Sequence, residues 1–142
     1  MKKKTKTFTL PTKKTIPKEK LSDYSILLYG TPGIGKTTLC SEIPDAWFLT
    51  TETGSKSLSI YDRPIKKWSN FVSAIKLLKE DKQFKNIILD RVDKLYDMCF
   101  KYMCDTVLMI DHPQDEKDYG KSWGEINKEY YKWIDKLLAL DK

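Results

Sequence analysis

Gly30-Thr31-Pro32-Gly33-Ile34-Gly35-Lys36-Thr37 fills every fixed position of a G-x-x-x-x-G-K-T loop. Glycines there let backbone N–H groups turn inward around a phosphate and form an anion nest at the start of a helix. Lys36 would reach the outer phosphates of a nucleoside triphosphate, and the Thr37 hydroxyl would ligate Mg²⁺. With Thr38, the run is the candidate nucleotide-binding segment. Its setting suits that chemistry, because the apolar Ser25–Tyr29 precedes it and a helical stretch follows.

Two acids stand where they would complete such a site. Asn86-Ile87-Ile88-Leu89-Asp90 is an apolar strand ending in a carboxylate, 54 residues after Lys36. At the carboxyl edge of a parallel sheet Asp90 would face the phosphate loop and hold the Mg²⁺ shell, usually through water. Its bland alternative is a cap for the helix starting at Val92, and Asp93 would cap that helix or act as a second acid. Glu52 lies just past the apolar run Ala46–Thr51, where a carboxylate would orient and deprotonate an attacking water. Spacing alone leaves a catalytic base and a solvated turn glutamate equally open.

The rest of the chain sets what those residues sit on. It has 142 residues, 40% hydrophobic and 32% charged, which suits one globular domain. No apolar run approaches the roughly 20 residues of a membrane span, and no secretory signal is visible, so a cytoplasmic protein is expected. Residues 1–20 hold eight lysines against Glu19, a balance of +7, which leaves −1 for the remainder of a chain whose total is +6. The basicity belongs to a leader, residues 1–22, expected to be disordered and able to touch nucleic acid through phosphates. Cys40, Cys99 and Cys104 read as reduced core residues, and His112, beside Pro113, reads as a solvated loop imidazole.

Strands are expected at Ser25–Tyr29, Ala46–Thr51, Asn86–Leu89 and, as a short one, Ile65–Trp68. Ser55–Arg63 is ambiguous. Helices are expected at Lys36–Glu42, Asn70–Lys79, 92–110 and Trp123–Leu140. The long one carries Val92, Leu95, Cys99, Met103, Val107 and Ile110 on its inner stripe. Strands alternating with helices imply an α/β domain over residues 23–142 with a largely parallel sheet.

The segments ILLYGTPGIGKTTL, FLTTETGSKSL and NIILDRVDKLYDMC, with HPQDEKDYGKSWGEINKEY, resemble the RecA-like P-loop ATPases common in phages. These are known as AAA-domain or nucleotide-binding phage proteins, and some act as single-strand annealing recombinases. The resemblance runs from Leu21 to the C-terminus. It implies a parallel sheet sandwiched by helices, ATP and Mg²⁺ as ligands, Lys36 and Glu52 as catalytic residues, and Thr37 and Asp90 at the metal. It also implies that a full-length protein forms homo-oligomers, in the host cytoplasm if phage-encoded. Two departures stand out. Arg91 follows Asp90 where the family has a small hydroxylated residue. The family also places a later strand between the phosphate-loop strand and the Asp90 strand. Here Lys142 comes straight after the helix that would feed it, so an incomplete, marginally stable sheet is expected.

Three functions compete. The first is an ATP-hydrolysing protein of phage or prokaryotic DNA recombination or replication. The second is a nucleotide-dependent module that binds DNA or a partner without turnover. In it Tyr119 and Trp123 beside Lys121 would stack on single-stranded bases, unless Trp123 only begins a core-facing helix. The third is a small P-loop kinase, disfavoured because Arg63 and Arg91 are the only arginines for a phosphate-clamping lid.

Overall fold

The computed structural model describes residues 10–20, 23–52 and 57–140. In chain order they form α1 (Lys36–Ser41), β1 (Ala46–Thr50), β2 (Tyr61–Pro64), α2 (Trp68–Leu78), β3 (Asn86–Asp90), α3 (Val92–Tyr102) with a π-helical continuation Met103–Leu108, and α4 (Lys121–Leu138). Of the leader, residues 10–20 are exposed and carry no helix or strand, while 1–9 and 21–22 lie outside the described residues.

The three strands form a parallel sheet in the order β2-β1-β3. A parallel strand is buried on both faces and needs apolar residues at nearly every position. The central strand meets that demand, since Ala46, Phe48, Leu49 and Thr50 are all buried. Trp47 and Leu49 align with Ile87 and Leu89 of β3, and these four side chains meet the helical layer. That layer brings Trp68, Phe71, Ala74 and Ile75 of α2 against Leu95 and Cys99 of α3 and Ile126, Tyr130 and Trp133 of α4. Burial pushes the Cys99 thiol up to about 12 and also raises Cys104, so both behave as apolar core groups.

Four expectations need correcting. Ser25–Tyr29 is not part of the sheet. Ile26, Leu27, Leu28 and Tyr29 are exposed, and among the described residues β3 pairs with β1 alone. An apolar run supplies the tendency to pair, but a strand forms only where a partner edge accepts its backbone groups. The small outer strand is Tyr61–Pro64 rather than Ile65–Trp68, because Asn70 caps the following helix by accepting the Lys66 and Lys67 N–H groups, and α2 begins at Trp68.

The helix expected over 92–110 changes its winding at Met103. The wider π turn uses about one more residue per turn, so the inward position passes from Val107, which is exposed, to Leu108, which packs on the core. The Cys104 carbonyl then accepts N–H groups from Met109 and Ile110, with Met109 left-handed at φ 54°, and the helix ends.

α4 starts at Lys121, two residues before the expected Trp123, because Asp118 caps it. The Asp118 carboxylate accepts the N–H groups of Gly120 (2.9 Å) and Ser122 (2.7 Å) and the Ser122 hydroxyl. The Ser122 hydroxyl bond, and then the backbone donors, hold this carboxyl below the usual aspartate range. A lowered carboxyl pKa adds stability above the ordinary value, about 3.9, that is lost as pH falls through the lowered one. Melting curves between about pH 2 and 6 should therefore show an acid-side loss of stability that is smaller in Asp118→Asn. Equal acid sensitivity in both proteins would remove Asp118 from this role.

Candidate functional site

The tight turn before α1 sets Gly30, Gly33 and Gly35 at φ 155°, 81° and 94°. A Cβ on Gly33 or Gly35 would meet nothing within 4 Å, so backbone conformation rather than crowding calls for glycine. Gly33, Gly35, Lys36, Thr37 and Thr38 line one open pocket. Thr31, Pro32 and Ile34 sit exposed on the same loop. The Lys36 ammonium folds back over the loop and donates to the carbonyls of Gly30 (2.9 Å) and Thr31 (3.0 Å).

Sheet register brings the two candidate acids together. Thr50 lies directly opposite Asp90, so β1 and β3 end side by side. The Thr37 hydroxyl donates to Asp90 Oδ2 at 2.8 Å across 53 residues of sequence. It joins the glycine-rich loop to the end of β3. Two hard oxygen donors this close suit Mg²⁺, which takes a hydroxyl directly and a carboxylate directly or through water. No cluster of three or more His, Cys, Asp or Glu is found among the described residues. Such a cation would accordingly lean on nucleotide phosphates and water as well as on Thr37 and Asp90.

Past the strand ends the backbones stay stitched. The Thr51 N–H donates to the Asp90 carbonyl at 2.6 Å, and the Thr51 hydroxyl accepts the Arg91 N–H at 3.0 Å. Glu52 follows, and its Oε1 accepts a hydrogen bond from Arg91 Nη1 at 2.7 Å. The same guanidinium donates through Nε and Nη2 to the two oxygens of Asp93, at 3.1 and 2.6 Å. That bond is the first cause holding the Asp93 carboxyl below its usual range. Asp93 is thus engaged by Arg91 through both carboxylate oxygens. It sits in the first turn of α3, where negative charge is favourable, and grips Arg91.

Thr51 and the Arg91–Glu52 pair were not foreseeable from spacing. A threonine after a strand and an arginine after an acid carry no signal until β1 and β3 are known to be neighbours.

The Tyr-Gly-Lys-x-Trp segment has a structural explanation. Gly120 (φ 83°) and Tyr119 (φ 56°) make the turn into α4. Trp123 is half-buried, 5.6 Å from both Phe100 and His112 by ring centroids. His112 also packs on Phe100, and its Nδ1 accepts the Gln114 N–H, so it is a packed ring rather than a solvated one. Tyr119 is fully exposed, and Lys121 is exposed beside it.

The sequence profile of one family, described as AAA domain, matches residues 22–142. The chain belongs to the AAA-domain family. Within the AAA domain, the match spans the phosphate loop, Glu52, Asp90 and the segment around Trp123, and it carries a nucleotide-binding, ATPase-type function. No curated protein and no solved structure matches the chain. Among the described residues, no helix is long and apolar enough to cross a membrane.

Proposed function

We propose that this AAA domain binds ATP with Mg²⁺ and hydrolyses it, in a RecA-like arrangement. The observation that carries this reading is the Thr37–Asp90 hydrogen bond of 2.8 Å, which puts phosphate loop and strand-end carboxylate at one place. Gly30–Thr38 would hold the phosphates, Lys36 would neutralise charge on the outer ones, and Thr37 with Asp90 would hold the cation. The cation, when bound, screens phosphate charge as it develops in the transition state. Glu52, two residues past the end of β1, the strand beside that of Asp90, would orient and deprotonate the attacking water.

The proposed setting is DNA recombination or replication in a phage or prokaryotic cell, in the cytoplasm and with the full-length protein as a homo-oligomer. The lysine-rich leader and the exposed Tyr119 and Lys121 would meet single-stranded DNA through phosphate contacts and base stacking. A module that binds nucleotide without turnover is the second reading, favoured by the engagement of Glu52 with Arg91.

The test is thermal unfolding with and without ATP–Mg²⁺, alongside phosphate release with and without single-stranded DNA. Ligand at about 100 times its Kd adds about 2.7 kcal/mol, which for a chain of this size raises Tm by about 5–10 °C. No shift with any nucleoside triphosphate would end the reading. A shift without phosphate release, with or without DNA, would select the binding module.

A further inference from the structure

Arg91 has an unusual set of bonds for a side chain beside a candidate metal site. All three guanidinium nitrogens are engaged, two by Asp93 and one by Glu52. All three side chains are about half exposed, with Arg91 at 47%, Glu52 at 46% and Asp93 at 62%. Ion pairs that open to solvent add little to stability, so fold maintenance does not account for the arrangement. What the fork does is geometric. Asp93 is fixed in the first turn of α3, and its paired bonds fix the plane of the guanidinium, which leaves Nη1 aimed at the carboxylate that follows β1.

We propose that Arg91 is a positioning residue for Glu52: anchored by Asp93, it sets where the Glu52 carboxylate stands relative to the Asp90 end of β3. This deepens the proposed function and rests on reading Glu52 as the base. Among the described residues the second oxygen of Glu52 has no hydrogen-bond partner, so it is the one to meet a water, with its direction set by the Arg91 bond to the first. Misplacing a base by about 1 Å costs up to 10²-fold in rate, so losing one of the restraints on a side chain this exposed should cost about tenfold. Lysine cannot replace this arginine, because a single ammonium cannot hold the Asp93 pair and reach Glu52 in a fixed plane.

The test has two arms on the 142-residue chain. In the first, Arg91→Ala should lower kcat about tenfold and leave KM for ATP within about twofold. Arg91→Lys should not restore the rate, and Arg91→Ala should lose nothing further when added to Glu52→Ala. The second arm needs no activity. Arg63 and Arg91 are the only arginines of these 142 residues, so a ¹⁵N-labelled sample of this chain without nucleotide gives two guanidinium signal sets, with Arg63 as internal reference. Glu52→Ala and Asp93→Asn should each move the Arg91 set and leave that of Arg63 in place.

Restoration by lysine, a further loss in the Glu52→Ala background, or Arg91 signals indifferent to Glu52→Ala would each overturn the proposal. Parent-rate hydrolysis by Glu52→Ala would overturn the base assignment itself and this inference with it. An ATP-silent protein with a responsive Arg91 signal would instead fault the proposed hydrolysis and leave the pairing established, but would overturn any role for it in positioning a base.

Discussion

Lys36→Ala should abolish nucleotide binding, or weaken it beyond measurement together with turnover. The ammonium is the charged side chain of the phosphate loop, and it already rests among loop oxygens at 2.9 and 3.0 Å. Trading those two carbonyls for phosphate oxygens replaces dipoles with full charges, the stronger class of hydrogen bond. Alanine removes both the charge and the reach, and leaves the backbone N–H groups to hold a polyanion alone. Because α1 holds no buried residue, the variant should unfold at the parent temperature in the absence of nucleotide. Titration with a fluorescent ATP analogue is the direct measurement. Parent-like affinity with parent-like phosphate release would show that the loop does not hold phosphates.

Glu52→Gln should separate binding from chemistry. Glutamine keeps the shape of the side chain and can still accept from Arg91, so ATP–Mg²⁺ affinity should stay near that of the parent. It cannot take a proton from water, and losing a general base costs about 10²-fold or more in turnover. Single-turnover phosphate release at saturating ATP isolates this step. A variant that hydrolyses at the parent rate would make Glu52 an ordinary exposed glutamate and leave the proton with another acceptor.

Local sequence was legible where a side chain's place in the fold depends on its immediate neighbours. The glycines of the phosphate loop, the lysine and threonine after them, and Asp90 at a strand end all follow from short-range rules. So does the α2 stripe, where Phe71, Ala74, Ile75 and Leu78 are buried as their spacing requires. Sequence reasoning failed where a partner from elsewhere decides. Ser25–Tyr29 is as β-prone as Asn86–Leu89, yet only the second meets an edge of β1. Val107 keeps the 3.6-residue rhythm, and the π turn set by packing overrides it. His112 looks like a loop residue until Phe100 and Trp123 close on it. The grip of Arg91 on Glu52 depends on strand order, which no short window of sequence contains.

The placement of the phosphate loop has an energetic consequence. It hangs between the exposed Ser25–Tyr29 and α1, a six-residue helix with no buried residue, and the Thr37 hydroxyl ties it to the sheet. Opening this stretch exposes almost no apolar surface that is not exposed already, so it belongs to the low end of the local-unfolding scale while the α2–α3–α4 core sits at the high end. A phosphate ligand would thus meet a loop that spends part of its time open, and the apparent affinity is the intrinsic one scaled by the closed fraction. Whatever pins Thr37 to Asp90 from outside — a cation, a neighbouring protein surface, or a strand laid along Ser25–Tyr29 — would tighten nucleotide binding without touching the nucleotide.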